Sequence, residues 1–436
     1  METVSTDNRD VNRSILPAEG WTVRNAYALA MLTLIYALNT VDRNMFGLMA
    51  PLIKADLHFT DAQIGLLSGF AFAAFYAVVA IPIASLADRW NRRNIIAIGL
   101  AFWSFMTFCH GLVRTGWELA LTRFLLGAGE ASSVAPSNSI IGDLFSPAKR
   151  PFALGFLAAS TSIGVLLAFP AIGWVSQEYG WRAAFMAMGV PGMGLALLFW
   201  LTVAEPTRVT VSGQASDPVP LLVALRRLTT SPAFMLAVTS GTFISFDLSV
   251  TLTWTPTFLS RVHALSPAEI GQLIGLLRGA GGIVGGIGGG LVATMLGRFD
   301  PRWLYRVPAI AMLLVAPAEL LLLFGGEGFW QIGLALDTLL LMAQIGPLFA
   351  ILIAAADMRT RAVGIAFFLL ITNMLGQSGG AFVSGGLSDM LTPSLGNGAI
   401  RYAMLAGTMA ALVAGLFCFA AGRRIEADTI AQPAAH

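Results

Sequence analysis

Four ionisable residues stand in two pairs inside long apolar stretches: Asp42-Arg43, and Arg123 with Glu130 in Arg123-Phe-Leu-Leu-Gly127-Ala-Gly129-Glu130. A charged side chain in membrane hydrocarbon is costly unless it is paired or wetted, so such residues mark ion or substrate paths. Residues seven apart on a helix lie within about 20° of one face, so Arg123 and Glu130 look the same way. At about 1.5 Å per residue, Arg123 lies about 8 Å and Glu130 about 18 Å from the start of their stretch. Asp42 comes level with Arg123. The two acids and two guanidinium groups are neutral together when all are ionised. Protonating either acid leaves a net positive charge, ready for an anion. The chemistry expected of Asp42, Arg43, Arg123 and Glu130 is therefore substrate and proton binding. Glu130 is the expected proton carrier, Arg123 the anion contact, and Asp42 the group that holds Arg123 when no anion is bound.

A second, weaker set is Asp247, Arg278 and Asp337, expected to face the same cavity, with Asp247 and Arg278 level enough to pair. Glu319 is expected near the outer interface on a peripheral helix, and His58 and His263 in external loops. The two cysteines, Cys109 and Cys418, fall in apolar stretches and read as small buried hydrophobes. No catalytic residue, metal-ligand set or cofactor motif is read, and no nucleotide-binding Gly-x-x-x-x-Gly-Lys loop occurs.

The elements that must position these groups follow from composition. Of 436 residues, 56% are hydrophobic and only 11% charged, against about 25% charged in soluble proteins. Crossing a bilayer takes about 20 apolar residues. Runs of that kind lie near 26–50, 62–86, 94–112, 118–143, 151–175, 183–203, 232–259, 268–294, 304–324, 330–355, 361–388 and 399–421. Each is expected to be a helix, because lipid offers no partner to free backbone groups. The fold expected is thus an all-α membrane protein of twelve transmembrane helices. Most Lys and Arg outside the runs fall on the side that holds both termini, which marks it as cytoplasmic.

The chain also repeats itself. Asp42, Pro51 and His58 match Asp247, Pro256 and His263 at one constant offset, and the offset drifts only slowly to Pro136 with Pro347 and Arg150 with Arg361. Six runs per half keep both halves in one orientation, giving two parallel-repeat six-helix bundles. The organisation expected is a mobile tail (1–21), a first bundle (22–203), a linker with a basic interfacial helix (204–231), a second bundle (232–422) and a tail (423–436). Glycines crowd the eighth and eleventh runs and are expected to let helices approach closely rather than to cradle phosphate.

The loop after the second run, Ala84-Ser-Leu-Ala-Asp88-Arg89-Trp-Asn91-Arg92-Arg93, returns in altered form as Gly290-Leu-Val-Ala-Thr294-Met295-Leu-Gly297-Arg298. It resembles the signature loop of the major facilitator superfamily, whose halves share this parallel symmetry. Asp88, Arg89, Arg92 and Arg93 are expected to work as a conformational latch. Asp-Arg in the first run with Arg-x-x-x-Gly-x-Gly-Glu in the fourth, plus Gly180-Trp181-Arg182-x-x-Phe185 and Glu205-Pro206-x-Arg208, is similar to the bacterial spinster branch. Ala84 and Asn91 depart from the loop pattern, and the antiporter motif of the fifth run survives only as Gly155, Gly164, Pro170 and Gly173.

Animal spinster proteins export sphingosine-1-phosphate and lysophospholipids. The resemblance therefore implies a secondary transporter, not an enzyme, that moves an amphiphilic, lipid-like or anionic substrate by alternating access with protons. The bacterial inner membrane is the place implied. Membrane lipids are the other expected partner; nucleic acid is not one, and the chain is expected to be a monomer. An organic-anion or drug carrier of another branch is the alternative. A lipid-sensing receptor or scramblase would need no coupling carboxylate, and Asp42 and Glu130 argue against it.

Overall fold

The computed structural model describes residues 21–208, 220–356 and 360–431; the side chains of a few residues inside helices, Asp88 among them, lie outside that description. All regular structure among the described residues is helical. In chain order the helices are α1 (Val23–Leu57), α2 (Asp61–Ser68), α3 (Phe70–Arg89), α4 (Arg92–His110), α5 (Gly116–Glu130), α6 (Val134–Leu144), α7 (Arg150–Thr202), α8 (Leu221–Thr230), α9 (Pro232–Val262), α10 (Pro267–Gly297), α11 (Trp303–Phe324), α12 (Phe329–Ala343), α13 (Ile345–Ala354), α14 (Arg361–Ile371), α15 (Ser378–Leu395) and α16 (Ala399–Ala431). A π-helical turn, Thr372–Gln377, joins α14 to α15. Among the described residues, six helical segments are long and apolar enough to cross a membrane. Large apolar side chains such as Leu167, Leu201 and Leu276 stand exposed, as suits an integral membrane protein.

Helix ends follow local chemistry. Thr60 with Gln63, Thr115 with Glu118 and Ser266 with Glu269 form capping boxes that start α2, α5 and α10. Each satisfies backbone donors that the first turn leaves free. α7 bends at Gly180, whose φ of +82° and ψ of 165° suit glycine alone, so two expected helices follow one another around that residue. The fourth expected helix breaks after Glu130, where Ser132 Oγ donates to the Gly129 carbonyl at 2.7 Å. Pro136, lacking an N–H, leaves the carbonyl of Ser132 without its helical donor. Pro347 stands in the same relation to the break at Gln344 between α12 and α13. The two prolines matched in sequence thus each follow a helix break.

Three apolar cores hold the chain together. One, built on Leu32, Ile96, Leu100 and Phe199, belongs to helices before residue 204. Another, built on Phe234, Met312, Leu352 and Phe368, belongs to helices after residue 231, with Leu228 of α8 docked on it. The third lies where α1 and α9 end, here termed the distal end, and mixes both parts: Met45, Phe46 and Ile53 with Trp254, Phe258 and Ile274. The first and second halves of the chain are therefore fused at the distal end and keep separate cores toward the other.

The crowded glycines sit at these crossings. A Cβ on Gly271 would come 2.5 Å from the Phe169 carbonyl oxygen, and one on Gly279 would meet the Leu166 backbone, both on α7. Gly285 and Gly289 face α12 in the same way, through Leu339 and Ala343. Packing, as expected, accounts for these four, whereas Gly286, Gly288 and Gly290 have open space beside them.

Candidate functional site

Asp42 and Arg43 are adjacent on α1, so their side chains leave the helix about 100° apart. Asp42 turns toward Trp103 and Thr107 of α4 and is buried. Arg43 turns toward Tyr76 of α3, its guanidinium 5.5 Å from the ring centre. From there it grips Glu130: Nη2 donates to Oε2 at 2.9 Å and Nε to the same oxygen at 3.2 Å. Glu130 is fully buried at the last residue of α5. A carboxylate is ill placed at a helix C-terminus, where carbonyls converge, and Arg43 offsets that cost. Arg123, about two turns earlier on the same face of α5, donates Nη2 to the Arg43 carbonyl at 3.2 Å and lies 4.4 Å from the centre of the Phe46 ring. Asp42 and Glu130 are both among its charged neighbours. The four expected residues thus form one formally neutral group, with Asp42, Arg123 and Glu130 buried and Arg43 partly exposed. Its geometry links Arg43 with Glu130 directly.

Asp247 of α9 and Arg278 of α10 do not pair. Arg278 Nη2 donates instead to the Thr251 carbonyl at 2.6 Å and to Thr255 Oγ1 at 2.7 Å. Asp247 lies against Glu319 of α11. Glu319, expected near the outer interface, faces inward: it is buried and accepts from Thr251 Oγ1 at 3.2 Å. Its depth along α11 was legible in the chain, but not the direction it faces. Asp337 of α12 is buried with Glu319 and Arg278 as charged neighbours.

Between the halves lies a cavity of about 230 Å³. Thr40 and Asn44 of α1, Thr161, Ser162, Val165 and Phe169 of α7, and Leu248, Thr251, Leu252 and Pro256 of α9 line it. Ile274 and Arg278 of α10, Thr338, Leu341 and Met342 of α12, and Ile345 of α13 complete it. Arg278 is the charged residue in this lining among the described residues; Asp247 and Asp337 stand one residue behind Leu248 and Thr338. The Asp42–Glu130 group borders the same region through Asn44, the neighbour of Arg43.

At the other end of the first half, Arg92 is buried and joins three helix ends. It donates to Asp143 at 2.5 Å, Glu205 at 2.8 Å, Ser139 at 2.9 Å and the Pro206 carbonyl at 3.2 Å. Glu205 also accepts the Arg93 backbone N–H, at 2.8 Å, capping α4. Arg208 donates to the carbonyls of Ala87 and Trp90. The Glu205-Pro206-x-Arg208 motif thereby closes the loop onto its own half. Arg89 is exposed, and Arg93 bonds Asn94 and approaches Trp200. The side chain of Asp88 lies outside the described residues.

Sequence reading missed a charged knot at the distal end. Asp61, in the first turn of α2, accepts from Lys54 Nζ at 2.6 Å, from Arg261 of α9 at 2.5 and 2.7 Å, and from Ser388 of α15 at 2.6 Å. Asp389 accepts the Asp61 and Ala62 backbone N–H groups at 2.9 and 2.8 Å. Burial alone would raise the Asp61 carboxyl, but Arg261, Lys54 and Ser388 outweigh it and lower its pKa to about 2. A second tie joins Asp56 to Arg182 and to Trp181 Nε1, at 3.2 Å for the latter. That explains the Gly180-Trp181-Arg182 motif. Only the run of opposite charges around Lys54, Asp56 and Asp61 hinted at either knot.

The sequence profile described as "Major Facilitator Superfamily" matches residues 32–381. An MFS-type efflux pump of Mycolicibacterium smegmatis is 31% identical, over 98% of this chain and 98% of that protein. Protein spinster homolog 1 of Xenopus tropicalis is 27% identical over 90% of this chain and 80% of its own length. A bacterial homolog of the human lysosomal transporter spinster, solved inward-facing and unoccupied, superposes with a TM-score of 0.81 at 27% identity, covering 96% of this chain and all of that one. The spinster resemblance read from the two charged motifs agrees with these relatives.

Proposed function

The chain belongs to the major facilitator superfamily, and from that premise we propose that it moves an amphiphilic anion across the membrane by alternating access, coupled to protons. The observation that carries the substrate class is the cavity: an apolar wall of Phe169, Leu252, Pro256 and Leu341 with Arg278 as its cation. An apolar tail fits the first and an anionic head group the second. Arg43, Arg123, Asp42 and Glu130 are the proton and head-group site on the facing bundle. Glu130 exchanges a proton as Arg43 passes between it and the substrate, while Arg123 and Asp42 hold the helices in register.

In this reading the helices make twelve spans in two parallel six-helix bundles, 22–203 and 232–422. They are joined by the linker 204–231, with cytoplasmic tails at 1–21 and 423–436. The protein works as a monomer in the bacterial inner membrane. The fused distal end, knotted at Asp61, is the closed gate, and the separate cores of the other end support access from the cytoplasm. Asp88 and Arg89 take part in closing that cytoplasmic end, while Arg92 and Arg93 stiffen the first bundle. A second reading, export of drug-like compounds, is favoured by likeness to the mycobacterial efflux pump.

A thermal-shift series on purified protein separates these readings. Lysophospholipids and fatty acids should stabilise it more than hydrophilic sugar acids or quaternary ammonium compounds, with the advantage growing as pH falls. Stabilisation by cationic amphiphiles alone would overturn the substrate class.

A further inference from the structure

Among its described residues, the second half of the chain buries three carboxyl groups with one guanidinium. Asp247, Glu319 and Asp337 come from α9, α11 and α12, and Arg278 from α10; none is more than 9% exposed. Asp247 lies against Glu319, and both Asp247 and Glu319 have Asp337 or Arg278 in their electrostatic range. Neither oxygen of Asp247, neither oxygen of Asp337 and only one of Glu319 has a hydrogen-bond partner. α16 closes the cluster with small and polar residues. A Cβ on Gly407 would fall 2.7 Å from Asp247 Oδ1, and the buried Thr408 hydroxyl stands beside Glu319.

Three negative charges cannot rest against one positive charge in so dry a place. A buried ionised carboxylate without a partner is costly enough that the group takes up a proton instead. The donor set does not suit a metal ion: among the described residues no three acids, histidines or cysteines converge closely enough to hold one. Protons need no such convergence. Two carboxyls in contact share one in a charge-assisted O–H···O bond. Thr251 supplies the link to the cavity that it lines: its carbonyl accepts from Arg278 and its hydroxyl donates to Glu319.

We propose that Asp247, Glu319 and Asp337 form a proton-binding site of their own, loaded to neutrality against Arg278 while the cavity is empty. An anion that reaches Arg278 from the cavity neutralises it, and the acids restore balance by taking one more proton from water. Anion and proton then bind together, and by linkage each tightens the other. The coupling rests on the anion reading above; the proton site itself does not.

Infrared spectra of the full chain in maltoside micelles, which carry no carbonyl, test the site. At neutral pH the protonated-carboxyl band should be present in wild type and persist in Asp42→Asn/Glu130→Gln. It should lose intensity in Asp247→Asn/Glu319→Gln/Asp337→Asn and, to a smaller extent, in Glu319→Gln alone, the variant to rely on if the triple one fails to fold. A band unchanged by both variants overturns the site.

For the coupling, octyl sulfate is added below its micellar concentration to weakly buffered wild-type protein and to Asp247→Asn/Glu319→Gln/Asp337→Asn. Wild type should take up about one proton more per bound anion than the variant. Binding with equal uptake in the two overturns the coupling. No binding by wild type overturns the anion reading and leaves the infrared result standing.

Discussion

Replacing Asp61 by Asn should unlatch the distal end. Asp61 accepts from Arg261 through both oxygens, at 2.5 and 2.7 Å, and from Ser388 at 2.6 Å; both partners belong to the second half. Lys54, from its own half, adds a bond at 2.6 Å. A charge-assisted hydrogen bond contributes roughly 1.5–3 kcal/mol. Asn keeps one acceptor oxygen and loses the charge, and Arg261, with 18% of its side chain exposed, regains some water. The net loss to the distal-closed state is therefore about 2–3 kcal/mol, a shift of roughly 30- to 150-fold in the balance of states. Spin labels at Glu178 and Asn397, in a background without Cys109 and Cys418, report the distance across the distal mouth. A new long-distance population is expected in Asp61→Asn, and again in Arg261→Gln. If both variants kept the wild-type distance distribution, the knot would be decoration and the reasoning refuted.

The same latch should ignore physiological pH. Because the Asp61 pKa is lowered to about 2 when the end is closed, the stabilisation is complete above about pH 4 and fades only as pH falls toward 2; distance distributions across the distal mouth should match at pH 5 and 8. Arg92→Gln should lower the apparent Tm through a loss of about 3 kcal/mol, since Asp143 and Glu205 lose their common partner. It should leave the distal distance unchanged, because those described bonds lie within one half. Gly271→Val should favour the distal-open state, since its Cβ would come within 2.5 Å of the Phe169 carbonyl oxygen; crosslinking between α7 and α10 is the readout, and undiminished yield would contradict the close crossing.

Much of this architecture was legible in the chain. Apolar runs announced helices because hydrocarbon forbids any other unpaired backbone, but the breaks before Pro136 and Pro347, inside two of those runs, were not read from them. The neutral group at Asp42, Arg43, Arg123 and Glu130 was legible because charge in an apolar run stands out. Its internal pairing was not: depth along a helix says nothing of side-chain reach, and Arg43 is long enough to claim Glu130. Glu319 was misjudged for a related reason, since rise along α11 fixes height but not the face turned inward. Asp61 stayed hidden because it sits at a helix start among ordinary loop charges, with Arg261 and Ser388 far away in sequence. Long-range pairing of this kind needs the fold before it can be seen.

The central claim is proton-coupled movement of an amphiphilic anion through the Arg43–Glu130 pair. Uptake of a fluorescent lysophospholipid into proteoliposomes, with and without an imposed pH gradient, tests it most directly. Wild-type protein should transport faster with the gradient, and Glu130→Gln should fold and still exchange substrate at equilibrium while losing its response to the gradient. A Glu130→Gln protein that keeps the wild-type pH dependence would contradict the account.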